Sequence, residues 1–194
     1  MEINGKKYNL PKTWADINLK TYLELTKVID KEFENDIDKT VHVLSVLTGI
    51  PVDDIKKNEV SYFIDIQRKL TFLNVMPSSV VAEKFIIDGT TYETYTNPNR
   101  ITTGEFIDLN GLTQDTEKIY ENIPSLLAVF YRPVINGSRT TEYNIVDVEE
   151  RKNLFLEKLT TDKAFGCIGF FLGLKLIYLN LISQSFSKRM KMMR

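Results

Sequence analysis

Residues 13–25 read TWADINLKTYLEL, and the run leads to a second apolar helix that stops at VLTGIP, residues 46–51. Asn18 suits a helix start because its short side chain can accept a hydrogen bond from a free backbone N–H. Gly49 tolerates the left-handed conformation that ends a helix, and Pro51 behind it prevents continuation. The stretch from Thr13 to Leu73 therefore predicts short helices with sharp stops. It contains no residue set with obvious chemistry.

The next helix is predicted from Glu59 to Asn74, with an apolar face at helical spacing. The residues expected on its inner face are Val60, Phe63, Ile64, Ile66, Leu70 and Leu73.

Composition limits the classes of protein to consider. A chain of 194 residues suits one domain, or one domain with a small appendage. Its formal net charge of −1 gives no general attraction to nucleic acid or acidic membranes. Near-neutral charge also permits close association of like subunits. The single Cys167 excludes an intrachain disulfide framework and a cysteine-rich zinc site. No apolar run of signal-peptide length follows Met1, so secretion by that route is not expected.

Two Gly-containing turns predict β-hairpins at residues 2–10 and 84–93. Asn4-Gly5 and Asp88-Gly89 favour the type I′ turn, because both of its central residues need positive φ. The two segments are similar in residue type and spacing, with INGKKY at 3–8 and IDGTTY at 87–92. Either a duplicated module or convergence of two hairpins on the same turn residues explains this similarity. Since two strands alone are marginally stable, one small antiparallel sheet is expected to take strands from both hairpins.

Helical periodicity returns after Pro98. Thr103 is expected to cap a helix that Asn110-Gly111 breaks after Leu109, and Pro124 implies a kink or a fresh start inside an apolar run at 113–131. Residues 132–144 are polar, contain Pro and Gly, and predict a projecting loop. Helices at about 147–159 and 162–190 complete the chain.

The expected fold is α+β and mainly α-helical, a helical bundle with a small antiparallel sheet built from two β-hairpins. One domain, 1–194, would contain an N-terminal hairpin and helical module (1–79), a β-hairpin insertion (80–98) and a C-terminal helical part (99–194).

The apolar segment 164–182 has two interpretations. Its length and the Gly169-x-x-x-Gly173 pair are typical of membrane helices, but Lys175 near its middle would cost about 2.5–3.5 kcal/mol on insertion. A helix buried all round, in a core or a subunit interface, explains the same composition. Close backbone approach at the glycines is then expected. A membrane location is the less favoured interpretation.

Titratable residues do not form a recognisable catalytic or metal site. His42 is the only histidine and lies in an apolar helix, so a partly buried structural role is expected. Asp53 and Asp54 suit a helix start, where carboxylates complement the helix dipole. No phosphate-binding loop motif occurs. We therefore expect no enzymatic activity, no catalytic residues, no cofactor and no metal, and no specific nucleic acid recognition by the basic tail.

The patterns WADINLKTY at 14–22, VLSVLTGIP at 43–51 and Asp53-Asp54-Ile55 resemble a recurrent phage arrangement. Over residues 10–75 the chain resembles the helical module of bacteriophage tail assembly chaperones, and also small virion proteins encoded near the tail genes of crAss-like phages. The family has no catalytic residues to transfer. The insertion at 80–96 and the long C-terminal helix depart from a minimal chaperone and favour a larger structural subunit.

The resemblance implies a non-enzymatic virion structural protein, a tail or neck ring component made in the host cytoplasm. Its expected partners are further copies of itself, forming a ring, and other tail, portal or neck proteins. The alternatives are a tail assembly chaperone that binds the tape measure protein, and a membrane-associated protein using helix 164–182. The predicted contact residues lie at hairpin tips, in the loop 132–144 and on the C-terminal helix: Asn4, Gly5, Asp88, Gly89, Arg132, Asn136, Arg139, Tyr143, Phe171, Lys188 and Arg189.

Overall fold

The computed structural model describes the backbone of residues 2–3, 6–78, 80–95, 97–115, 118–140 and 144–192. Within those ranges it describes the side chains from residue 6 to residue 179, except those of Pro98, Ile145 and Tyr178. The chain divides into two compact units, Met1–Ser78 with Leu156–Asp162 (unit 1) and Ser79–Phe155 with Lys163–Arg194 (unit 2). The expectation of a single domain stays a prediction.

Unit 1 consists mainly of short helices. They are α1 (Leu19–Asp30), α2 (Asp36–Thr48), α3 (Val52–Lys57) and α4 (Val60–Lys69). A two-stranded antiparallel hairpin, β1 (Glu2–Ile3) and β2 (Lys6–Lys7), precedes them. The predicted hairpin is therefore present, although its turn residues Asn4 and Gly5 lie outside the described residues.

Local side-chain chemistry sets the helix ends in unit 1. Asn18 Oδ1 accepts a hydrogen bond from the Thr21 N–H at 2.9 Å, and this begins α1. Asn35 Oδ1 does the same for the Asp38 N–H at 2.8 Å and begins α2. Gly49 has φ 69° and ends α2. The predictions for Asn18 and Gly49 are confirmed.

The helix expected at 59–74 is shorter than predicted. It ends at Lys69 and a 3-10 helix, Thr71–Asn74, follows. Ile66 and Leu70 are buried as expected, but Val60 is 71% exposed and Ile64 is 39% exposed. The inward prediction is wrong for those two residues, because α4 buries only a narrow stripe of its surface.

The core of unit 1 draws on residues from Tyr8, which precedes α1, to Leu70, which directly follows α4. Its buried members are Tyr8, Ile17, Leu25, Val41, Leu44, Leu47, Ile50, Ile55, Ile66 and Leu70. Trp14 packs at its edge, with ring centroids 5.2 Å from Phe72, and its indole N–H donates to the Val75 carbonyl at 2.7 Å. Ile66 and Leu70, two of the residues expected on the inner face of the helix at 59–74, thus share one core with residues of α1, α2 and α3.

A distant segment completes unit 1. The Leu19 N–H donates to the Leu159 carbonyl at 2.8 Å, and the Thr161 N–H donates to the Ile17 carbonyl at 2.8 Å. Leu159 is 1% exposed. The entrance to α1 is therefore held by residues that follow it by most of the length of the chain.

Unit 2 combines a four-stranded antiparallel sheet with helices. The strands are β3 (Lys84–Ile87), β4 (Thr90–Glu93), β5 (Arg132–Ile135) and β6 (Ser138–Arg139), hydrogen-bonded in that order. The helices are α5 (Thr103–Leu112), α6 (Ile123–Phe130), α7 (Ile145–Lys158) and α8 (Thr161–Met192); the last residues of α7 and the first of α8 belong to unit 1. The predicted fold class, α+β and mainly helical with a sheet made of two hairpins, is confirmed.

The second hairpin of this sheet is not the one expected. β3 and β4 pair with β5 and β6, whereas β1 and β2 form a separate two-stranded ladder. The projecting loop predicted at 132–144 is therefore wrong for residues 132–139. Asn136 and Gly137 have φ 52° and 78°, so this tight turn uses the same backbone conformation as Asp88-Gly89.

Two helix boundaries in unit 2 also differ from expectation. Thr102, rather than Thr103, caps α5, and the helix continues through Asn110 and Gly111 to Leu112. A glycine in the last turn is tolerated because the Thr113 N–H still bonds to the Leu109 carbonyl, at 3.1 Å. Pro124 lies in the first turn of α6, where a missing N–H costs little, so the fresh start is confirmed.

Candidate functional site

A buried ion cluster joins α5 to the sheet of unit 2. Glu105 Oε1 accepts hydrogen bonds from Arg132 Nη2 at 2.7 Å and from Arg139 Nη2 at 2.8 Å. The three side chains are between 1% and 3% exposed. Arg139 also donates to the carbonyls of Glu93 and Phe130. The cluster thus connects the N-terminal end of α5 with strands β4, β5 and β6.

Helix capping places the carboxylate of this cluster. Glu105 is the third residue of α5, and its Oε2 accepts from the Thr102 N–H at 2.9 Å, while Thr102 Oγ1 accepts from the Glu105 N–H. This reciprocal pair is a capping box. One carboxylate oxygen therefore closes the helix end and the other faces the two guanidinium groups.

Electrostatics keep Glu105 ionised. Burial raises the pKa of its carboxyl, but the Thr102 N–H and the guanidinium groups of Arg139 and Arg132 lower that pKa by more, so the net direction is down. A carboxylate held in this way is a poor proton acceptor. The cluster is therefore better suited to holding α5 against the sheet than to acid–base catalysis.

Tyr95 extends the cluster toward the surface. The guanidinium carbon of Arg139 lies 4.2 Å from the centroid of the Tyr95 ring, and that of the exposed Arg100 lies 3.7 Å from it. Cation–π contacts of this kind hold an arginine in one orientation. Arg139 is consequently fixed by both its carboxylate partner and an aromatic ring.

The predicted contact residues fall into different environments. Arg132 and Arg139 are inside unit 2, which corrects their expected place on a projecting loop. Asp88, Gly89 and Asn136 are exposed, and the antiparallel order β3-β4-β5 puts their two turns at the same end of the sheet. A role for these turns in subunit contacts stays a prediction. Tyr143 lies outside the described residues, as do the side chains of Lys188 and Arg189 on α8.

Helix α8 has one buried side rather than burial all round. Phe171 is 1% exposed, and its ring lies 4.6 Å from that of Phe130, so it belongs to the core of unit 2. Leu172, Leu176 and Leu179 are 36%, 63% and 41% exposed. Within its own chain the described part of α8 is therefore not buried on every side, and burial of its exposed side in a subunit interface stays a prediction.

The glycines of α8 also differ from expectation. A Cβ placed on Gly169 or Gly173 would meet no other described atom within 4 Å. No described backbone therefore approaches closely at these positions. Among the helices that the structure describes, none combines the length and apolar character needed to cross a membrane.

Cys167 and Tyr131 form a buried polar contact in unit 2. The Tyr131 hydroxyl lies 2.9 Å from Cys167 Sγ and donates to the Ala82 carbonyl. Burial raises the pKa of the Cys167 thiol to about 11. Since the thiolate is the reactive form, this buried cysteine is held as an unreactive thiol and acts as a packing residue.

His42 takes the half-buried place expected of it. Its Nδ1 lies 2.9 Å from the Asp38 carbonyl, and its ring lies 4.8 Å from the Phe33 ring. In the described part of the chain no group of three or more His, Cys, Asp or Glu side chains is placed to hold a metal ion.

Unit 1 contains an apolar groove that the sequence did not reveal. It has a volume of about 380 Å³ and is lined by α2, α3 and α4, with Val41, Ile55 and Phe63 among its walls. Asp38 and Lys56, which form a 2.6 Å ion pair, lie at the same groove. An apolar floor with polar groups beside it is suited to a short peptide or helix.

Sequence reasoning missed Glu105, Tyr95 and the outward leucines of α8. The Thr102-x-x-Glu105 spacing is a usable signal for the capping box, whereas nothing local identifies the two arginines that meet it. The spacing of the leucines can be read from the sequence. The exposure of each leucine depends on which side of α8 faces the core, and the sequence does not show that.

No protein-family model matches this chain, and no curated protein or solved structure is detectably similar to it.

Proposed function

We propose that this chain is a non-enzymatic structural protein of a bacteriophage virion, a tail or neck ring component. It acts through self-assembly and through contacts with neighbouring virion proteins. The observation that supports this proposal most directly is the row of exposed leucines on α8, Leu172, Leu176 and Leu179. Contiguous exposed apolar side chains are typical of protein–protein contacts. The resemblance of residues 10–75 to phage tail proteins supplies the virion context.

The test is the copy number of the chain in purified particles of a phage that encodes it. Quantitative mass spectrometry should find a fixed, multiple copy number per particle that persists through high-salt washing. Abundant host proteins serve as the control, because their level should fall with each purification step. A chain that is abundant in infected cells but lost from washed particles would overturn the structural role.

The groove in unit 1 favours a second candidate, a tail assembly chaperone that binds the tape measure protein. The groove could take an amphipathic helix of that partner through its apolar walls. Ile37 lines the groove and is 68% exposed, so Ile37→Asp should leave the fold intact and abolish capture of co-expressed tape measure protein. Val75→Asp is the matched control, since Val75 is 66% exposed and does not line the groove. Equal capture by the parent and both variants would exclude the groove as the binding site.

A further inference from the structure

We infer that β3 is an interaction surface for a second copy of this chain, which adds its own β3 antiparallel to the first across a two-fold axis. The paired strands join two four-stranded sheets into one continuous sheet. The inference rests on the proposed role in assembly and gives the self-association a specific contact.

β3 lies at an edge of the sheet of unit 2. The strand order is β3-β4-β5-β6, and among the residues that the structure describes no strand pairs with the far side of β3. Ile86 is 66% exposed, and the side chain of Lys84 is 58% exposed. An edge strand presents a row of backbone N–H and C=O groups, which another extended strand can match. The chemistry of this surface therefore specifies the kind of partner.

The pairing of β3 with β4 determines which backbone groups point outward. The Thr94 N–H donates to the Glu83 carbonyl at 3.0 Å, so the backbone groups of Glu83 face β4. Orientation alternates along an antiparallel ladder, so those of Lys84 and Ile86 point away from β4. The two-residue turn that follows β3 predicts the same alternation. No backbone hydrogen bond from another described residue reaches Lys84 or Ile86 on that side.

These outward groups match those of an identical strand. When two copies of β3 run antiparallel about an axis at Phe85, Lys84 of each copy lies opposite Ile86 of the other. Each of these two opposed pairs can exchange both N–H···O=C hydrogen bonds. A shift of one residue would set outward groups against inward ones. An axis at Lys84 or at Ile86 would keep only one such pair within the strand.

The side chains are compatible with this register. Lys84 and Ile86 are on the same face of the sheet, because side chains alternate along a strand. A lysine on an edge strand deters pairing when it meets a like charge. Lys84 instead has a 3.3 Å ion pair with Glu93 and would lie opposite Ile86 of the second copy. Pairing therefore covers an apolar side chain that the single chain leaves exposed.

The contact is short, so association should be weak and reversible. Two residues of each strand form the backbone bonds, and the area covered is far below the roughly 800 Å² per partner of a standard interface. We expect a dissociation constant of about 0.1–1 mM for the isolated protein. The contact uses the same edge of both copies and closes on itself, so a ring needs a second, different contact.

Amide hydrogen exchange of the full chain, measured by NMR at about 0.05 mM and about 2 mM, tests the surface. The amides of Lys84 and Ile86 should exchange at least twofold more slowly at the higher concentration, because each gains a hydrogen bond. The amides of Phe85 and Ile87 face β4 and should change little. Unchanged exchange at Lys84 and Ile86 overturns the inference.

Charged substitutions at the exposed Ile86 test the register. Ile86→Glu places a carboxylate opposite Lys84 of the second copy, so small-angle X-ray scattering should show a dimer at least as tight as that of the parent. Ile86→Lys is the matched variant, because it sets two lysines opposite each other and should weaken the dimer at least fivefold. Equal weakening by both variants would overturn the opposed pair of Lys84 and Ile86.

A proline at the same position tests the backbone bonds. The Ile86 N–H points away from β4, so Ile86→Pro removes an outward donor and no bond within the sheet. This variant should stay monomeric up to about 2 mM, whereas Ile86→Val, which keeps the N–H, should dimerise like the parent. A folded proline variant that still dimerises overturns the inference. Circular dichroism checks the fold, and if the proline variant is unfolded, Ile86→Lys gives the decision.

Failure of the inference and failure of the proposed function give different results. A chain that is monomeric in solution but present at fixed copy number in particles overturns the pairing alone. A dimer that Ile86→Lys weakens, in a protein that is absent from particles, supports the pairing and overturns the virion role.

Discussion

Glu105 shows how much one side chain can hold together. Its carboxylate caps α5 with one oxygen and accepts from Arg132 and Arg139 with the other. Two buried cations facing one anion are stable only while that anion stays charged, because an unpaired charge in the interior is costly. The free energy of unfolding, and its dependence on pH, should therefore both change when this residue is replaced.

We predict that Glu105→Gln destabilises the protein by about 3 kcal/mol or more. The reason is that it leaves both guanidinium groups without a counter-charge in a buried site. Urea denaturation monitored by circular dichroism gives the value. Glu93→Gln is the control, since the Glu93–Lys84 pair is partly exposed and should contribute under about 1 kcal/mol. An equal decrease in the free energy of unfolding for the two variants would contradict a stabilising role for the buried ion cluster.

The same residue predicts a pH dependence. The pKa of Glu105 is lowered in the folded state, so the unfolded chain takes up this proton first as the pH falls through about 4.3. The stabilisation is complete above that pH and is lost progressively as the pH falls toward the folded-state pKa. The stability difference between the parent and Glu105→Gln should thus narrow from pH 6 to pH 3. A difference that stays constant over that range would show that the charge of Glu105 is not responsible.

At the scale of elements, the ends of helices follow local chemistry closely. α2 stops at Gly49 because that residue has φ 69°, where a side chain is strained. α5 passes through Gly111, which does not have a positive φ. Gly49 therefore ends its helix, whereas Gly111 is part of its helix. The sequence alone does not separate the two cases, because a helical pattern ends near each glycine.

We predict opposite effects for alanine at these glycines. Gly49→Ala should destabilise by about 1–2 kcal/mol, because the left-handed backbone opposes a Cβ even though the surrounding space is open. Gly111→Ala should stabilise by about 0.5–1 kcal/mol, because alanine loses less backbone entropy in a helix. Thermal denaturation of both variants should give a lower melting temperature for Gly49→Ala and a higher one for Gly111→Ala than for the parent protein. The same sign of change for both would contradict the assigned conformations.

The hairpin at 132–139 is an element that the sequence did not predict. Its turn residues, Asn136 and Gly137, favour the same turn as Asp88-Gly89. The segment is polar and contains Pro and Gly, which favours a surface loop, and the prediction placed Arg132 and Arg139 on that loop. They are buried instead, since Glu105 on a distant helix supplies their charge partner.

At the scale of the whole molecule, the chain enters unit 1 twice. Leu156–Asp162 belongs to unit 1, although the flanking parts of α7 and α8 belong to unit 2. Leu159 and Thr161 bond to the backbone at Leu19 and Ile17. Sequence patterns could not predict this closure, because it depends on two backbone segments far apart in the chain.

We predict that Leu159→Ala destabilises unit 1 by about 2–4 kcal/mol, the usual range for removing a buried leucine side chain. Amide hydrogen exchange should become faster at Leu19 and Thr161, whose N–H groups bond across this junction. Lys20→Ala is the control, because it removes only the exposed ion pair with Glu157. Unchanged exchange at both amides in Leu159→Ala would show that the segment does not hold the start of α1.

The sequence by itself determined the class of fold, the start of α1 at Asn18, the end of α2 at Gly49, the turn at Asp88-Gly89 and the fresh start at Pro124. These features depend on backbone conformations and hydrogen bonds between residues a few positions apart. Only the tertiary structure decided which hairpins share a sheet, that Arg132 and Arg139 face inward, and that Leu159 closes unit 1. It also decided that Phe171 of α8 is buried while Leu176, Ile177 and Leu179 are exposed. Those outcomes depend on contacts between residues distant in the chain, where burial and charge pairing override what each local pattern favours.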